Sequence, residues 1–165
     1  MATGTILLPI GAAMLPDGSA SNAAPAIQRV KSSAAAPTPY FLQAAFDAAT
    51  DEMLMWSFRM PQDYASAPVL KVQYKMASAT TLEVIIEAQI MAVTDGDAQD
   101  LDADAFATVN TSAATTVPGT AGHLDEISLA LTNNDSLAAG DFVVLRLARD
   151  ADNVGDDAAG DMEVV

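Results

Sequence analysis

The sequence predicts an all-β fold, a sandwich or a barrel built from antiparallel strands. About eight or nine short segments alternate apolar and polar residues, and turn residues separate them roughly every dozen positions. Because side chains on a strand point alternately to opposite faces, this alternation indicates sheets with one buried and one solvated face. The 165 residues match the size of one domain with a substantial core.

The clearest part of this pattern is three consecutive strands at residues 52–60, 68–78 and 81–93. Each strand places its apolar residues on one face, and the first strand has Met53 on the opposite, solvated face. The predicted core consists of the in-phase apolar residues of these strands and of two later ones: Leu54, Trp56, Phe58, Leu70, Val72, Tyr74, Leu82, Val84, Ile86, Ile127, Leu129, Val143, Leu145 and Leu147.

Residues 1–39 differ in composition from the rest of the chain and form a predicted extended N-terminal arm. We expect a short edge strand at residues 5–11, limited by Pro9 because proline donates no ladder hydrogen bond. The remainder is rich in Ala, Ser and Pro and cannot bury enough apolar surface alone to offset the cost of ordering. It is therefore either a flexible tail or an arm that becomes ordered along a neighbouring subunit. Apolar anchors favour the arm, and they are the predicted interface residues: Ile6, Leu7, Leu8, Ile10, Leu15, Ile27 and Val30.

Residues 40–165 form the predicted β-sandwich domain, which looks complete without the arm. Its first strand is expected at residues 40–46, ahead of the three central strands. An acidic loop follows those strands, and turn residues then divide the remaining chain into short apolar segments. The later strands are expected at residues 106–109, 125–131, 141–150 and 161–165.

The charge and composition exclude several classes of function. The chain has 22 acidic and 7 basic residues, a net charge of -15 and a sequence pI near 4.1. Nucleic-acid binding depends largely on Lys and Arg that neutralise phosphates, so no nucleic-acid partner is expected. No run approaches the roughly 18–20 apolar residues of a spanning helix, so no membrane partner is expected either. The absence of cysteine excludes disulfides, thiolate nucleophiles and cysteine metal sites.

Two acidic clusters are the candidate metal sites. Ca²⁺ prefers about six to eight oxygen ligands held by a flexible loop, and residues 95–104 hold five carboxylates. The spacing does not match an EF-hand, since Gly96 falls too early and no glutamate closes the loop. A solvated acidic loop is the favoured interpretation of both clusters. The calcium candidates are Asp95, Asp97, Asp100, Asp102 and Asp104, and the second cluster holds Asp150, Asp152, Asp156, Asp157 and Asp161.

No constellation of residues indicates catalysis, and neither an enzymatic activity nor a cofactor is predicted. His123 is the single histidine, and a general base or metal ligand needs partners that the neighbouring sequence lacks. Exposed aromatic residues would instead suit a carbohydrate-binding module, in which rings stack on sugars. The aromatics considered for such a platform are Tyr40, Trp56, Tyr64 and Tyr74. Trp56 and Tyr74 lie in phase with aliphatic core positions, so burial in the core is the favoured interpretation.

Three stretches carry a resemblance to a known family: LLPIGAAMLPDGSASNAAP, MWSFRMPQDY and SLAAGDFVVLRLARD. Together they resemble the small jelly-roll structural proteins of tailed bacteriophages that decorate or cement the outer shell of the head. The resemblance implies an antiparallel jelly-roll β-sandwich, and a homotrimeric virion protein on the particle exterior, bound to the major capsid protein after synthesis in the host cytoplasm. It implies no enzymatic role and supplies no site residues. The alternatives are a tail or fibre protein with the same sandwich and a carbohydrate-binding module.

Overall fold

The computed structural model describes residues 4–19 and 21–165, and it confirms the predicted all-β sandwich. Strands make up 39% of it, and no α-helix occurs among the described residues. The sheets are antiparallel and pack against each other. In this part of the chain, no helix is long and apolar enough to cross a membrane. Residues 1–3 and 20 of the predicted arm lie outside the described residues.

Eleven strands follow one another in the described part of the chain, after a single 3₁₀ turn at Ile10–Ala12. The longest of them, β4, β6 and β10, are the segments in which the alternation of the sequence is strictest. The strands are β1 (Ala26–Lys31), β2 (Tyr40–Phe46), β3 (Met53–Arg59), β4 (Val69–Met76), β5 (Glu83–Val84), β6 (Ile86–Val93), β7 (Asn110–Thr111), β8 (Thr115–Thr116), β9 (Asp125–Ala130), β10 (Phe142–Arg149) and β11 (Met162–Val164).

The strands pair in a nested order. β6 pairs with β7, β5 with β8, β4 with β9, β3 with β10 and β2 with β11, and every pair is antiparallel. The chain from β2 to β11 therefore doubles back on itself after β6. These antiparallel pairs are distributed over two facing sheets, with the strand orders β1-β2-β11-β4-β9 and β3-β10-β6-β7. β5 and β8 form a small third sheet.

The core fills the space between the two large sheets. Of the fourteen predicted core residues, eleven are buried, and Phe58 and Leu70 are half-buried. The prediction is wrong for Leu82, whose side chain is 50% exposed. Leu82 has a φ of 76°, a left-handed conformation that bulky residues rarely adopt. The backbone bends there, so the alternation of the strand begins only at Glu83.

Three predicted strands differ from those observed. Residues 5–11 contain no strand, and the chain forms a 3₁₀ turn from Ile10 directly after a proline. The strand predicted at 106–109 is replaced by the short β7 immediately after it. The continuous strand predicted at 81–93 is interrupted at Ile85, so that β5 and β6 join different sheets. The backbone N–H and C=O of Ile85 bond instead with the loop that follows β10.

Part of the predicted arm packs against the sandwich of its own chain. Ile10 is buried in the core, and the carbonyl oxygen of Pro9 accepts a hydrogen bond from Nε1 of Trp56 at 3.0 Å. A backbone bridge joins Met14 to Met55 at the edge of β3, and β1 pairs with β2 along its whole length. The described arm therefore runs from the edge of one sheet to the edge of the other.

The arm also explains why Met53 is buried although the alternation predicts it on the solvated face. Ser21 and Asn22 lie beside Met53 on the outer side of β3. The guanidinium Nε of Arg146 approaches the Met53 sulfur at 3.4 Å from the neighbouring strand β10. The outer face of this sheet is thus partly covered by a segment that alternation within β3 cannot reveal.

Candidate interaction surface

β1 and the start of β2 form a two-stranded ribbon that extends beyond the core, and we call residues 26–42 the ribbon. Tyr40 and Leu42 lie on the same face of β2 as the buried Ala44 and Phe46, because side chains alternate along a strand. Tyr40 is nevertheless 54% exposed and Leu42 41%. β1 is the edge strand of its sheet in the described structure, so the backbone groups on its outer side are open to a partner.

The surface of the ribbon combines large apolar side chains with bases. In addition to Tyr40 and Leu42, the side chains of Ile27 and Phe41 are exposed. The guanidinium carbon of Arg29 lies 5.5 Å from the centre of the Tyr40 ring, within range of a cation–π interaction. Lys31 lies directly opposite Tyr40 in the strand register. Aromatic residues and Arg are enriched in protein interfaces, so the ribbon has the composition of a contact surface.

The ribbon also departs from the acidic character of the chain. Residues 18–46 contain Arg29 and Lys31 and no acidic residue, whereas residues 47–165 contain 21 of the 22 acids and five bases. Four of those five bases form ion pairs: Lys71, Lys75, Arg146 and Arg149. Across residues 4–19 and 21–165, neither base of the ribbon has a carboxylate partner.

The seven predicted interface residues fall into two groups. Four are withdrawn from solvent, Ile10 fully and Ile6, Leu8 and Val30 in part. Ile6 and Leu8 pack against the core cluster of their own chain. The other three face solvent: Leu7, Leu15 and Ile27. These exposed side chains are available to a partner without any rearrangement of the sandwich.

An open groove of about 520 Å³ lies between the acidic loop and the start of β10. Leu101 and Phe142 are both exposed there and give the groove apolar walls. Asp95 and Asp97 supply carboxylates on the loop side. We define the groove by six of its lining residues: Arg59, Val93, Asp95, Asp97, Leu101 and Phe142.

The five calcium candidates of this loop are not gathered into a cluster. Within the described residues, the group of three acids whose carboxylate oxygens lie within 4.8 Å of one another is Asp51, Asp150 and Asp152. The loop carboxylates bond locally instead, as Asp100 does by accepting the backbone N–H of Asp102 at 3.1 Å. Such side-chain-to-backbone bonds organise a turn and need no ion.

The group of Asp51, Asp150 and Asp152 joins two loops that are distant in sequence. Oδ1 of Asp51 accepts the backbone N–H of Ala151 at 2.7 Å, across 100 residues of chain. The charge of Asp51 raises the pKa of Asp152, and desolvation and the charge of Asp150 add to the effect. These carboxylates have the donor atoms that a divalent cation prefers. A solvated cluster that anchors the loop is the simpler interpretation, because exposed acids adopt it without a ligand.

The prediction of a solvated loop is wrong for one residue of the second acidic cluster. Asp156 is buried, and its carboxylate binds Nη2 of Arg149 at 2.6 Å and Nε at 3.1 Å. Arg149 donates two further hydrogen bonds to the carbonyl oxygens of Ala158 and Gly160, both at 2.8 Å. The sequence did contain a signal, since Arg149 continues the buried phase of β10. A buried guanidinium requires a carboxylate partner, which the following loop provides.

The aromatic residues considered for a sugar platform do not come together. Trp56 and Tyr74 are buried in the core, as their phase predicts. Tyr64 is half-buried against the core cluster, and Tyr40 lies apart on the ribbon. His123 is exposed in the loop before β9 and is not part of the acidic group. The arrangement offers no shared stacking surface for a sugar.

Comparison with known proteins adds no family to this description. No protein-family model matches the chain, and no curated protein or solved structure matches it.

Proposed function

We propose that this chain is a structural virion protein, most directly a capsid decoration (cement) protein of a tailed bacteriophage. In this proposal it acts as a homotrimer on the exterior of the head, where it binds the major capsid protein. The observation that carries the proposal is that the N-terminal segment closes the sandwich and still presents apolar anchors, Leu7 and Leu15, to solvent. The role is mechanical, so it requires contact surfaces and no reaction centre.

The strand order supports the proposal at the level of fold. Jelly rolls are two-sheet sandwiches of about eight strands, and they recur in viral capsid proteins. The nested pairs from β2–β11 inward to β6–β7 give the sheet orders β2-β11-β4-β9 and β3-β10-β6-β7, to which β1 is added at one edge. We infer that this order is a jelly roll. Fold analogy alone does not define a function, so the surface has to carry the rest.

The distribution of apolar side chains supports a contact role. Leu7 is 83% exposed, and Leu15 and Ile27 are also open to solvent. Buried apolar anchors supply most of the energy of an interface, while the polar rim supplies little. The large negative charge elsewhere favours solubility and discourages nonspecific association, which suits a protein displayed on a particle surface.

The carbohydrate-binding alternative receives less support from the same residues. Two of its four aromatics, Trp56 and Tyr74, are in the core. Tyr40 is exposed, but Phe41 follows it on the strand and therefore points to the opposite face. The exposed aromatics thus do not line one concave sheet, which a sugar-stacking site would need.

The direct test is whether the protein is part of a particle. We expect mass spectrometry of purified virions from the phage that encodes the chain to detect it, and recombinant protein to bind heads from which it has been stripped. Leu7→Ser combined with Leu15→Ser should weaken this binding without lowering the melting temperature, because both side chains are exposed. Val154→Ser is the matched control, since Val154 is 99% exposed on a different loop. Absence of the chain from virions would show that the proposal is wrong.

Deletion of residues 1–36 provides a second, structural readout. Without the arm, Ile10 and the Pro9 carbonyl that accepts the Trp56 N–H are lost, and β2 loses its partner β1. We therefore expect the deletion to lower the melting temperature as well as binding. If the truncated chain keeps the circular dichroism and stability of the full chain, the arm contributes only to contacts with other molecules.

A further inference from the structure

We propose that the ribbon of one copy docks into the groove of a second copy of this chain. The inference deepens the assembly part of the proposed function by naming two surfaces that meet. The contact itself needs no shell, so it can be measured with the isolated protein.

The ribbon supplies the cationic half of the contact. Arg29 and Lys31 are exposed and lack a carboxylate partner throughout the described structure. Tyr40 and Phe41 stand beside them as exposed rings on opposite faces of the strand. Directly paired residues share a face, so Arg29 and Lys31 lie on the face of Tyr40. The opposite face is uncharged and apolar at Val30 and Phe41. A projecting ribbon buries the most surface when it enters a groove.

The groove supplies the complementary half. Its apolar walls include Leu101, which is 54% exposed, and Phe142. Asp95 and Asp97 line the groove, and three further aspartates follow in the same loop. Arg59 also lines the groove, and its Nε is engaged by the carbonyl of Gly140 at 2.9 Å. The volume of about 520 Å³ lies in the range of pockets that hold drug-sized ligands, so it is large enough for aromatic side chains.

Charge complementarity identifies a second copy as the occupant. Two copies with a net charge of -15 repel each other, so a contact at which local charges are opposite is favoured over others. Residues 18–46 contain no acid and two bases without a carboxylate partner in the described part of the chain, and the groove opens beside a loop with five acids and no base. The two surfaces lie on different parts of one chain, so the contact is either made reciprocally in a two-fold dimer or repeated head-to-tail. The head-to-tail arrangement produces a closed ring when the rotation closes and an open chain when it does not.

Charge reversal on each surface, and on both together, tests the inference. The ribbon variant is Arg29→Glu with Lys31→Glu, and the groove variant is Asp95→Lys with Asp97→Lys. A fourfold variant carries all four substitutions and has the net charge of the wild type. Asp63→Lys with Asp152→Lys is the control, because these exposed acids lie outside the groove and change the net charge as the groove variant does. Sedimentation velocity at low salt gives the self-association, and circular dichroism and thermal melting verify that each variant is folded.

We expect the wild type to self-associate and the ribbon and groove variants each to dissociate at least about tenfold more readily, since like charges then meet at the contact. The fourfold variant should recover the association, and the control should match the wild type or exceed it. The inference is wrong if the wild type is monomeric over the accessible concentrations, or if the fourfold variant stays dissociated while both twofold variants are folded. It is equally wrong if the ribbon variant associates normally.

These results separate the inference from the proposed function. If the ribbon variant associates normally and the chain is present in virions, the ribbon contact is wrong and the decoration role stands. If the chain is absent from virions but its self-association depends on the ribbon and groove charges, the decoration role is wrong and the ribbon contact stands. Binding of the wild-type monomer to a soluble polyanion such as heparin, lost in the ribbon variant, would replace the second copy by a polyanionic partner and overturn the inference.

Discussion

The two acidic loops of this protein have similar compositions and different structural roles. Residues 95–104 and residues 150–161 each contain five aspartates and no base. In the first loop four of the five carboxylates are exposed, and Asp100 bonds to nearby backbone, while Asp104 is half-buried with one oxygen unpaired within the described structure. In the second loop Asp156 is drawn into the interior, and Asp157 bonds to the backbone of Glu83 at 2.9 Å. Residues 95–104 border an open groove, whereas residues 150–161 connect β10 with the small sheet of β5 and β8 through hydrogen bonds.

The difference originates in the strands that the loops meet. The second loop follows Arg149, a buried base that requires a carboxylate, and it passes the break between β5 and β6. At that break the N–H of Ile85 lacks a strand partner, and Asp156 accepts its hydrogen bond at 2.9 Å. The first loop meets neither a buried base nor a broken strand. The comparison shows that the donors a loop encounters, more than its own charge, determine whether an acidic loop packs.

The largest expected effect is the loss of the buried pair. Asp156→Ala leaves the Arg149 guanidinium buried without its counter-charge, which costs about 3–5 kcal/mol in comparable cases. For a chain of this size we expect the melting temperature to fall by roughly 6–20 °C. Asp95→Ala is the matched control in the other loop and should change stability by no more than about 0.5 kcal/mol. Chemical denaturation of both variants measures the difference, and equal losses would contradict the contrast between the loops.

A smaller effect on stability is expected from removing the charge of Glu52, which lies near the second loop. Burial raises the pKa of Glu52, the backbone N–H of Asp47 lowers it, and the charges of Asp47 and Asp161 raise it further. Because the pKa is higher in the folded state, ionised Glu52 costs stability at neutral pH. That cost is removed as the pH falls through the region just above the ordinary value of 4.5.

Glu52→Gln should therefore raise the melting temperature slightly at pH 7, and it should remove this part of the pH dependence. Because Glu52 is only half-buried and solvent screens its charge, the expected gain is limited to about 0.5 kcal/mol. Melting curves of both proteins at several pH values between 4 and 7 provide the measurement. Curves that stay parallel over the whole range would show that Glu52 does not contribute.

The smallest expected effect is that of calcium. The carboxylates of residues 95–104 are dispersed, and Asp51 in the other acidic group already accepts a backbone N–H. We therefore expect the same melting temperature with a chelator and with millimolar Ca²⁺, since a ligand stabilises a protein only by binding its folded state. A rise with Ca²⁺ that Asp152→Asn abolishes would instead identify Asp51, Asp150 and Asp152 as a cation site.

The sequence is most informative where one face of a strand is buried and the other is open. Alternation located β4 and β10 and assigned Val72 and Val143 to the core correctly. It failed at Leu82, where a left-handed residue bends the backbone, and at Met53, where the N-terminal segment covers the outer face. Periodicity describes a strand in isolation, so it contains no information about what crosses the opposite face.

The candidate surfaces were predictable only in part. Ile27 was predicted as an interface anchor and is exposed, whereas Ile10 and Leu8, predicted in the same way, pack within the chain because the arm returns to its own sandwich. The projection of Tyr40 beyond the core has no sequence signature, since its strand alternates like any other. The group of Asp51 and Asp150 arises from loops about a hundred residues apart, which only the fold brings together.

The central position of β11 has a consequence for the order in which the molecule forms. Met162 pairs with Phe46 of β2 on one side and with Met76 of β4 on the other. β2 and β4 are not hydrogen-bonded to each other, so the five-stranded sheet has no continuous path until β11 exists. Synthesis of the roughly 118 residues from Phe46 to Val164 takes about 6–24 s at the usual rates of translation. The inner edge of β2 is unpaired throughout that interval, and that of β4 is unpaired from the time Met76 has been added. Closure of the sheet is therefore a late, long-range event of the kind that makes folding slow.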